Sequence, residues 1–279
     1  FNESLIKVDT ANFNFTIDPL LVVELGKEKE QNLFKNTRGI IVRSNIGKTV
    51  SFSSSFYESQ AYFPSYVTEY TSSLGEASYP GSGIIPGQGR AKPFKDEGFD
   101  YGMASAYVNF VPSTHFNIRT GHGKHHIGEG YRSILLSDNA FNYPYLRANY
   151  IFGNENRFSY TNLFASILDN KRVPLSNMPE APFIKKGLSV HYFSYIPTKW
   201  LQLGLFESTV WETWDEENKK SKAFNFQQFN PLIGVNTSST FNNDHFSTIG
   251  ANLKFSPLQS ITFYNQYSWS QVNNQGIQL

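Results

Sequence analysis

The sequence predicts an all-β fold: a transmembrane antiparallel β-barrel with long structured loops, incomplete at both ends of the chain. Four observations predict it. Apolar and polar residues alternate with period two along many segments. Several segments reach the roughly 9–11 residues of a membrane-crossing strand, beyond the ~5–6 of an average soluble one. Connections divide into short Pro-containing turns and long loops, the asymmetry of barrels that cross an outer membrane. Finally, aromatic residues reach 16% while charged residues are 17%. The second figure lies below the roughly 25% of soluble domains, and aromatics favour sheet.

The clearest strands are the last two. In STIGANLKF, Ile249, Ala251, Leu253 and Phe255 share one face, and Thr248, Gly250, Asn252 and Lys254 share the other. QSITFYNQYSW sets Ile261, Phe263, Tyr267 and Trp269 against Thr262, Tyr264, Gln266 and Ser268, and only SPL separates the two runs. Such spacing is a hairpin. The same plan recurs around Pro112 in YVNFVPSTHFNIRT and around Pro197 in VHYFSYIPTKWLQLGLF, where Leu188, Val190, Tyr192 and Ile196 precede the turn and Leu201, Leu203 and Leu205 follow it. Further strands are expected over 12–25, 37–45, 48–57, 147–153 and 156–168. A soluble β-sandwich also alternates; strand length and loop asymmetry separate the two readings.

The chain reads as one domain, 1–279, with long loops near 58–99, 121–146, 169–184 and 211–244. In the first loop, Tyr62, Phe63, Tyr66, Val67 and Tyr70 recur at helical spacing with Pro64 at the start. This predicts a short helix whose aromatic side packs on the rim or lumen. SYPGSGIIPGQGRAKPFKDEG then reads as irregular.

Composition excludes several classes. With 24 basic and 23 acidic residues mixed along the chain, nucleic-acid binding has no electrostatic support. The absence of cysteine removes thiol catalysis and Cys-based zinc sites. No apolar run approaches the ~20 residues of a membrane helix, so a membrane role requires strands. FNESLIKVDT has neither the basic start nor the apolar run of a signal peptide, and the first residue is Phe1; a processed or truncated chain is expected.

Few motifs suggest chemistry. NIGKTV, 45–50, carries Gly-Lys-Thr, but a phosphate loop needs a further Gly where Val42 stands and a helix where KTVSFSSSF reads as strand. A tight turn is expected. In GHGKHHIGEG, His122, His125 and His126 with Glu129 or Asp138 offer metal-ligand chemistry. The flanking glycines argue against a helix that would make them converge, so hydrogen-bonded loop residues are expected. A metal-dependent hydrolase on these histidines is the alternative from another class, but no nucleophile or second acid can be named for it. Trp211 and Trp214, near a strand end, fit either sugar stacking or an interfacial aromatic belt, with the belt preferred.

The stretch GHGKHHIGEGYRSILLSDNAFNYPYLR, 121–147, resembles the signature segment of a Bacteroidota outer-membrane β-barrel family whose branches are gliding-motility RemB-like and capsule-assembly Wzi-like proteins. The matching positions are Gly121, His122, Gly123 and Lys124; Gly130, Tyr131, Arg132 and Ser133; Leu135, Leu136, Ser137 and Asp138; and Asn142, Tyr143, Pro144 and Tyr145. PGQGRAKPF (86–94), FDYGMASAYVNFVPSTHFNI (99–118) and YTNLFA (160–165) are similar to the same family. Its members are longer than this chain, and NNQGIQL does not resemble the aromatic-ending last strand of such barrels. The resemblance implies an outer-membrane location and an accessory role without enzymatic activity, catalytic residues, metal or cofactor. The expected partners are outer-membrane lipid and protein subunits of the gliding and type 9 secretion machinery. Surface polysaccharide is the partner of the alternative, Wzi-like branch. DTA at 9–11 also fits a short O-glycosylation motif of that phylum. Within the segment, the glycines are expected to let the strand end turn and pack closely, with Tyr131 and Arg132 pinning the loop.

Overall fold

The computed structural model describes residues 3–76, 79–173, 182–215, 217–222, 229–239 and 245–271. Parts of three expected loops, 58–99, 169–184 and 211–244, and the closing NNQGIQL lie outside them. In chain order the strands are β1 (Ile6–Asp9), β2 (Phe13–Glu28), β3 (Gln31–Ile46), β4 (Val50–Tyr62), β5 (Gly83–Ile85), β6 (Gly89–Phe94), β7 (Gly98–Ser113), β8 (Phe116–Gly123), β9 (Tyr143–Phe152), β10 (Phe158–Arg172), β11 (Phe183–Thr198), β12 (Leu201–Glu212), β13 (Trp214–Asp215), β14 (Lys220–Ser221), β15 (His245–Leu258) and β16 (Ile261–Gln271). Two helices are described, α1 (Ser65–Ser73) and α2 (Val235–Ser239).

The fold is all-β, one large antiparallel sheet in which long strands follow in the order β1-β2-β3-β4-β7-β8-β9-β10-β11-β12-β15-β16. Among the described residues no pairing joins β1 to β16: the sheet is observed, closure is not. β2, β3, β7 and β11 each run 16 residues. They outrun the predicted segments because the backbone ladder continues through polar ends such as Lys27↔Asn32 and Glu28↔Gln31. The prolines do not form the turns. Pro197 and Pro257 sit where the ladder slips, between Tyr195 and Thr198 and between Phe255 and Leu258, and the turns follow at 199–200 and 259–260. A residue without an N–H fits such a bulge.

The chain divides into two compact units. Unit 1 comprises residues 1–111, 121–124 and 138–142. One face of its sheet exposes Leu21, Val23 and Leu25 on β2, Ile40 on β3, Phe56 on β4, and Val108 and Phe110 on β7. The register places Ile40 opposite Phe56, Phe52 opposite Val108 and Val50 opposite Phe110. The other face is polar. Thr37 and Ser59 hydroxyls meet at 2.8 Å, those of Ser55 and Ser105 at 2.7 Å, and Lys35 Nζ donates to Glu24 at 2.8 Å. The 63–97 connection folds onto this face. Phe63 packs on Phe99 and Tyr101 beside Ala61, Ile85 and Ala91, and Tyr57 Oη donates to Gln88 Oε1 at 2.6 Å.

The expected helix forms as α1 with Pro64 preceding it, but its aromatic side is not packed. Tyr66 and Tyr70 are exposed, and Thr71 is the helix residue that is buried. Gly47, at φ 58°, turns the chain between β3 and β4, as expected for NIGKTV.

Unit 2 comprises residues 112–120, 125–137 and 143–279. Its apolar face is a set of cross-strand rows. One row runs Tyr150–Tyr160–Phe193–Leu205–Ala251–Tyr267 over β9, β10, β11, β12, β15 and β16. Leu203, Leu205, Ile249, Leu253, Tyr267 and Trp269 on this face are all exposed. A row on the other face runs Arg147–Leu163–Val190–Ser208–Thr248–Ser270, with its polar members at both ends. In both units the solvent-facing side of the sheet is therefore the apolar one, the reverse of a soluble sheet.

Toward the short turns, the apolar face of unit 2 carries an aromatic girdle. Phe116 meets Tyr150 at 6.5 Å, Tyr150 stacks on Phe152, Phe152 on Phe158, and Phe158 on Phe193 and Tyr195. Trp200 abuts Phe255, which stacks on Phe263. Trp211 and Trp214, where a belt was expected, lie at the opposite strand ends from this cluster of Phe and Tyr rings.

Candidate functional site

The signature segment leaves β8, crosses the 124–142 connection and enters β9. Residues 121–124 and 138–142 of the segment belong to unit 1, and 125–137 and 143–147 to unit 2. Gly121 passes so close to β7 that an added Cβ would strike Ala106 O and the Tyr107 backbone, so only glycine fits. Two side chains converge on the Ala104 carbonyl: Asn142 Nδ2 at 2.7 Å and His122 Nδ1 at 3.1 Å. Lys124 Nζ donates to Gly87 O at 2.6 Å, and partial burial pushes its pKa down. The lysine and glycine of the motif are therefore structural, tying the strand end to β7 and to the first long loop.

In unit 2 the segment 125–137 lies on the polar face of the sheet. Ile127 N donates to Leu136 O at 2.9 Å, and Ser133 Oγ caps Ile127 O at 2.5 Å. The small loop so closed places Glu129 among strand side chains. Its Oε1 accepts from Gln202 Nε2 at 2.8 Å, its Oε2 from Lys254 Nζ at 2.9 Å, and its N–H donates to Asn252 Oδ1 at 3.2 Å. Gln266 Oε1 accepts from Ile134 N at 3.0 Å, and buried Leu135 lies over Gly250. Gly128, at φ 135°, could not carry a side chain, since a Cβ would strike Gln266 and Ser133.

The expected pinning residues do not pin. Tyr131 is 85% exposed and Arg132, also exposed, lies over its ring. Glu129, Ser133 and Leu135 hold the loop instead.

The histidines do not share a site. His122 and His126 are exposed. His125 is buried, edge-on to Tyr145 at 4.3 Å, with Nδ1 3.2 Å from the Tyr143 hydroxyl. Desolvation, joined by repulsion from Arg147 and Arg119, pulls its pKa down to about 4, which keeps the ring neutral. Among the described residues no three His, Asp or Glu side chains are grouped to hold a metal.

Trp211 is buried, not available for a sugar or for a belt. It fills the space over Gly187, its register partner on β11, and meets Phe229 edge-on at 6.2 Å. Trp214 is half-buried in the β13–β14 hairpin, with its Nε1 buried.

A buried polar pair escaped sequence reasoning. His191 Nδ1 lies 3.0 Å from Glu207 Oε2 on the apolar face, and both side chains are buried. Glu207 also accepts from Gly234 N at 2.7 Å, from Thr237 N at 2.8 Å and from Thr237 Oγ1. Asn236 Nδ2 donates to Ser189 Oγ, and Tyr160 Oη to Pro231 O. The 229–239 segment is thus strapped over one end of the apolar face by a carboxylate. A lone Glu in GLFESTVW carries no pattern that would reveal this.

Among known proteins, no family model matches the chain and no curated protein matches it.

Proposed function

We propose that the chain is part of an integral outer-membrane β-barrel that works by binding: a non-enzymatic accessory component of the gliding-motility and type 9 secretion machinery at the cell surface. One observation carries the membrane half of this reading, the reversed polarity of the sheet. Leu21, Val23 and Leu25 in unit 1, and Leu205, Ile249 and Trp269 in unit 2, face outward, while Thr37, Ser59, Glu129 and Lys254 pack on the opposite face. At ~25 cal/mol per Å2, leaving such columns in water is unfavourable, and lipid removes that cost. The aromatic girdle at the short-turn end supports an interfacial position. No described helix is long and apolar enough to cross a membrane, so strands alone would span it.

The machinery half rests on the resemblance of 121–145 and its upstream neighbours to the RemB-like branch. Exposed loop residues such as Tyr131, Tyr66 and Tyr70 are the natural contacts for partner subunits. The polysaccharide reading loses Trp211, which is buried.

The test is to tag the protein in its native host, solubilise the outer membrane in mild detergent and identify what co-purifies. Secretion or gliding subunits recovered only with detergent support the proposal. Polysaccharide without machinery favours the Wzi-like reading, and release without detergent removes the barrel.

A further inference from the structure

The apolar face of unit 2 has a polar interruption, and the 229–239 segment lies over it. Ser189, His191, Glu207 and Thr209 all belong to this face, yet each is at most 3% exposed. Phe229 opens the cover, packing on Phe164 at 5.1 Å and on Trp211 at 6.2 Å.

The register fixes the level at which the cover sits. Glu207 belongs to the row Asn162–His191–Glu207–Ile249–Trp269, and Tyr160 to the neighbouring row that ends in Leu205, Ala251 and Tyr267. Ile249, Trp269, Leu205 and Tyr267 are exposed apolar side chains of those same rows. A segment bonded to Glu207 and Tyr160 is therefore level with residues proposed above to face lipid.

Irregular backbone is tolerated at membrane depth only where its polar groups are satisfied within the protein. Here the amides are turned onto the sheet. Pro231 brings no N–H, and its carbonyl accepts from Tyr160 Oη at 2.6 Å. Leu232 N donates to Asn230 Oδ1 at 3.0 Å, and Ile233 N lies against the Tyr160 hydroxyl. Gly234 N and Thr237 N go to the Glu207 carboxylate, and Val235 N to Leu232 O at 3.4 Å. The side chains point the other way: Leu232 is 61% exposed, and Ile233 and Val235 are exposed beside it. No charged residue stands between Ala223 and Asn243. A loop bathed in water needs neither occupied amides nor an apolar outer surface.

We infer that the 229–239 segment is a lipid-contacting strap, which lays Leu232, Ile233 and Val235 against acyl chains and shields the polar row beneath it. The inference rests on the membrane reading of the sheet and adds to it an element that is not a strand. Without the strap a carboxylate and an imidazole would face hydrocarbon, where such groups are costly.

The test uses the full chain carrying one cysteine, Leu232→Cys, Ile249→Cys or Tyr131→Cys, labelled with bimane in phosphatidylcholine nanodiscs. One quencher is a phosphatidylcholine with a nitroxide on its acyl chain, and the other is iodide in the water. The strap predicts that nitroxide lipid lowers the emission at Leu232 as much as at Ile249, while iodide quenches Tyr131 alone. Iodide quenching at Leu232, with Ile249 still quenched by lipid, overturns the inference and leaves the membrane reading standing. Shielding of Leu232 from both quenchers overturns it too, and assigns the strap to a second copy of the chain. Iodide quenching at both Leu232 and Ile249 removes the membrane reading and the strap with it. Lipid quenching at Leu232 but not at Ile249 would keep the strap and remove the spanning sheet.

Discussion

Glu129 and Lys254 meet at 2.9 Å across 125 residues of sequence, the loop carboxylate reaching the polar face of β15. Together with Gln202 and Asn252 they fix the signature loop on unit 2. Lys254 is 40% exposed, so solvent screens the pair, and its own coupling should be modest, about 0.5–1 kcal/mol. A double-mutant cycle of Glu129→Gln and Lys254→Met should return that value. Amide exchange at Ile127 and Ile134 should quicken in both single variants, because the loop is released locally before the sheet unfolds.

Glu207 should matter more. Its carboxylate accepts from two backbone N–H groups and the Thr237 hydroxyl, which are part-buried, and lies against the buried His191. Glu207→Ala leaves the buried His191 ring without its partner and releases the 229–239 segment, and should cost on the order of 2–3 kcal/mol. Denaturant unfolding measures this, and protease should cut the 229–239 segment of the variant first.

His125 makes stability depend on pH. Its pKa falls from 6.5 in the unfolded chain to about 4 in the fold, so between those values the unfolded state binds more protons. Stability is therefore full above pH 6.5 and declines as pH falls toward 4, by on the order of 3 kcal/mol at the lower end. His125→Phe keeps a ring against Tyr145 and should flatten that slope, as unfolding midpoints across pH 4–7 would record.

Trp211 and Tyr131 should behave oppositely. Trp211→Ala empties the space over Gly187 and should destabilise by roughly 3–5 kcal/mol. Tyr131→Ala, at a residue 85% exposed, should leave the unfolding midpoint within about 0.5 kcal/mol of the parent while weakening any partner that uses the loop. Midpoints of both variants, measured beside a pull-down, separate the two roles.

Much of the sheet was legible because alternation is local. Ile249, Leu253, Thr248 and Asn252 declare two faces by themselves, and the structure keeps that division. Which face meets solvent is not local, since a soluble sheet and a membrane sheet alternate identically. The site was less legible for the same reason. That Trp211 is covered depends on Gly187 opposite it. His125 was recognisable as a loop contact because the surrounding glycines exclude a helix, whereas its tyrosine partners emerge only once β9 folds back beside β8.

The central claim is that the apolar face meets lipid. The sequence contains no cysteine, so single cysteines can be introduced at Leu21, Val23, Phe56 and Val108 on the apolar face and at Ser53, Ser55 and Ser105 on the polar face. Each variant would be probed in intact native membranes with a charged, water-soluble maleimide. The account predicts that the first four stay unlabelled until detergent is added and that the serine positions label beforehand. Full labelling of Leu21, Val23, Phe56 and Val108 positions without detergent would contradict it.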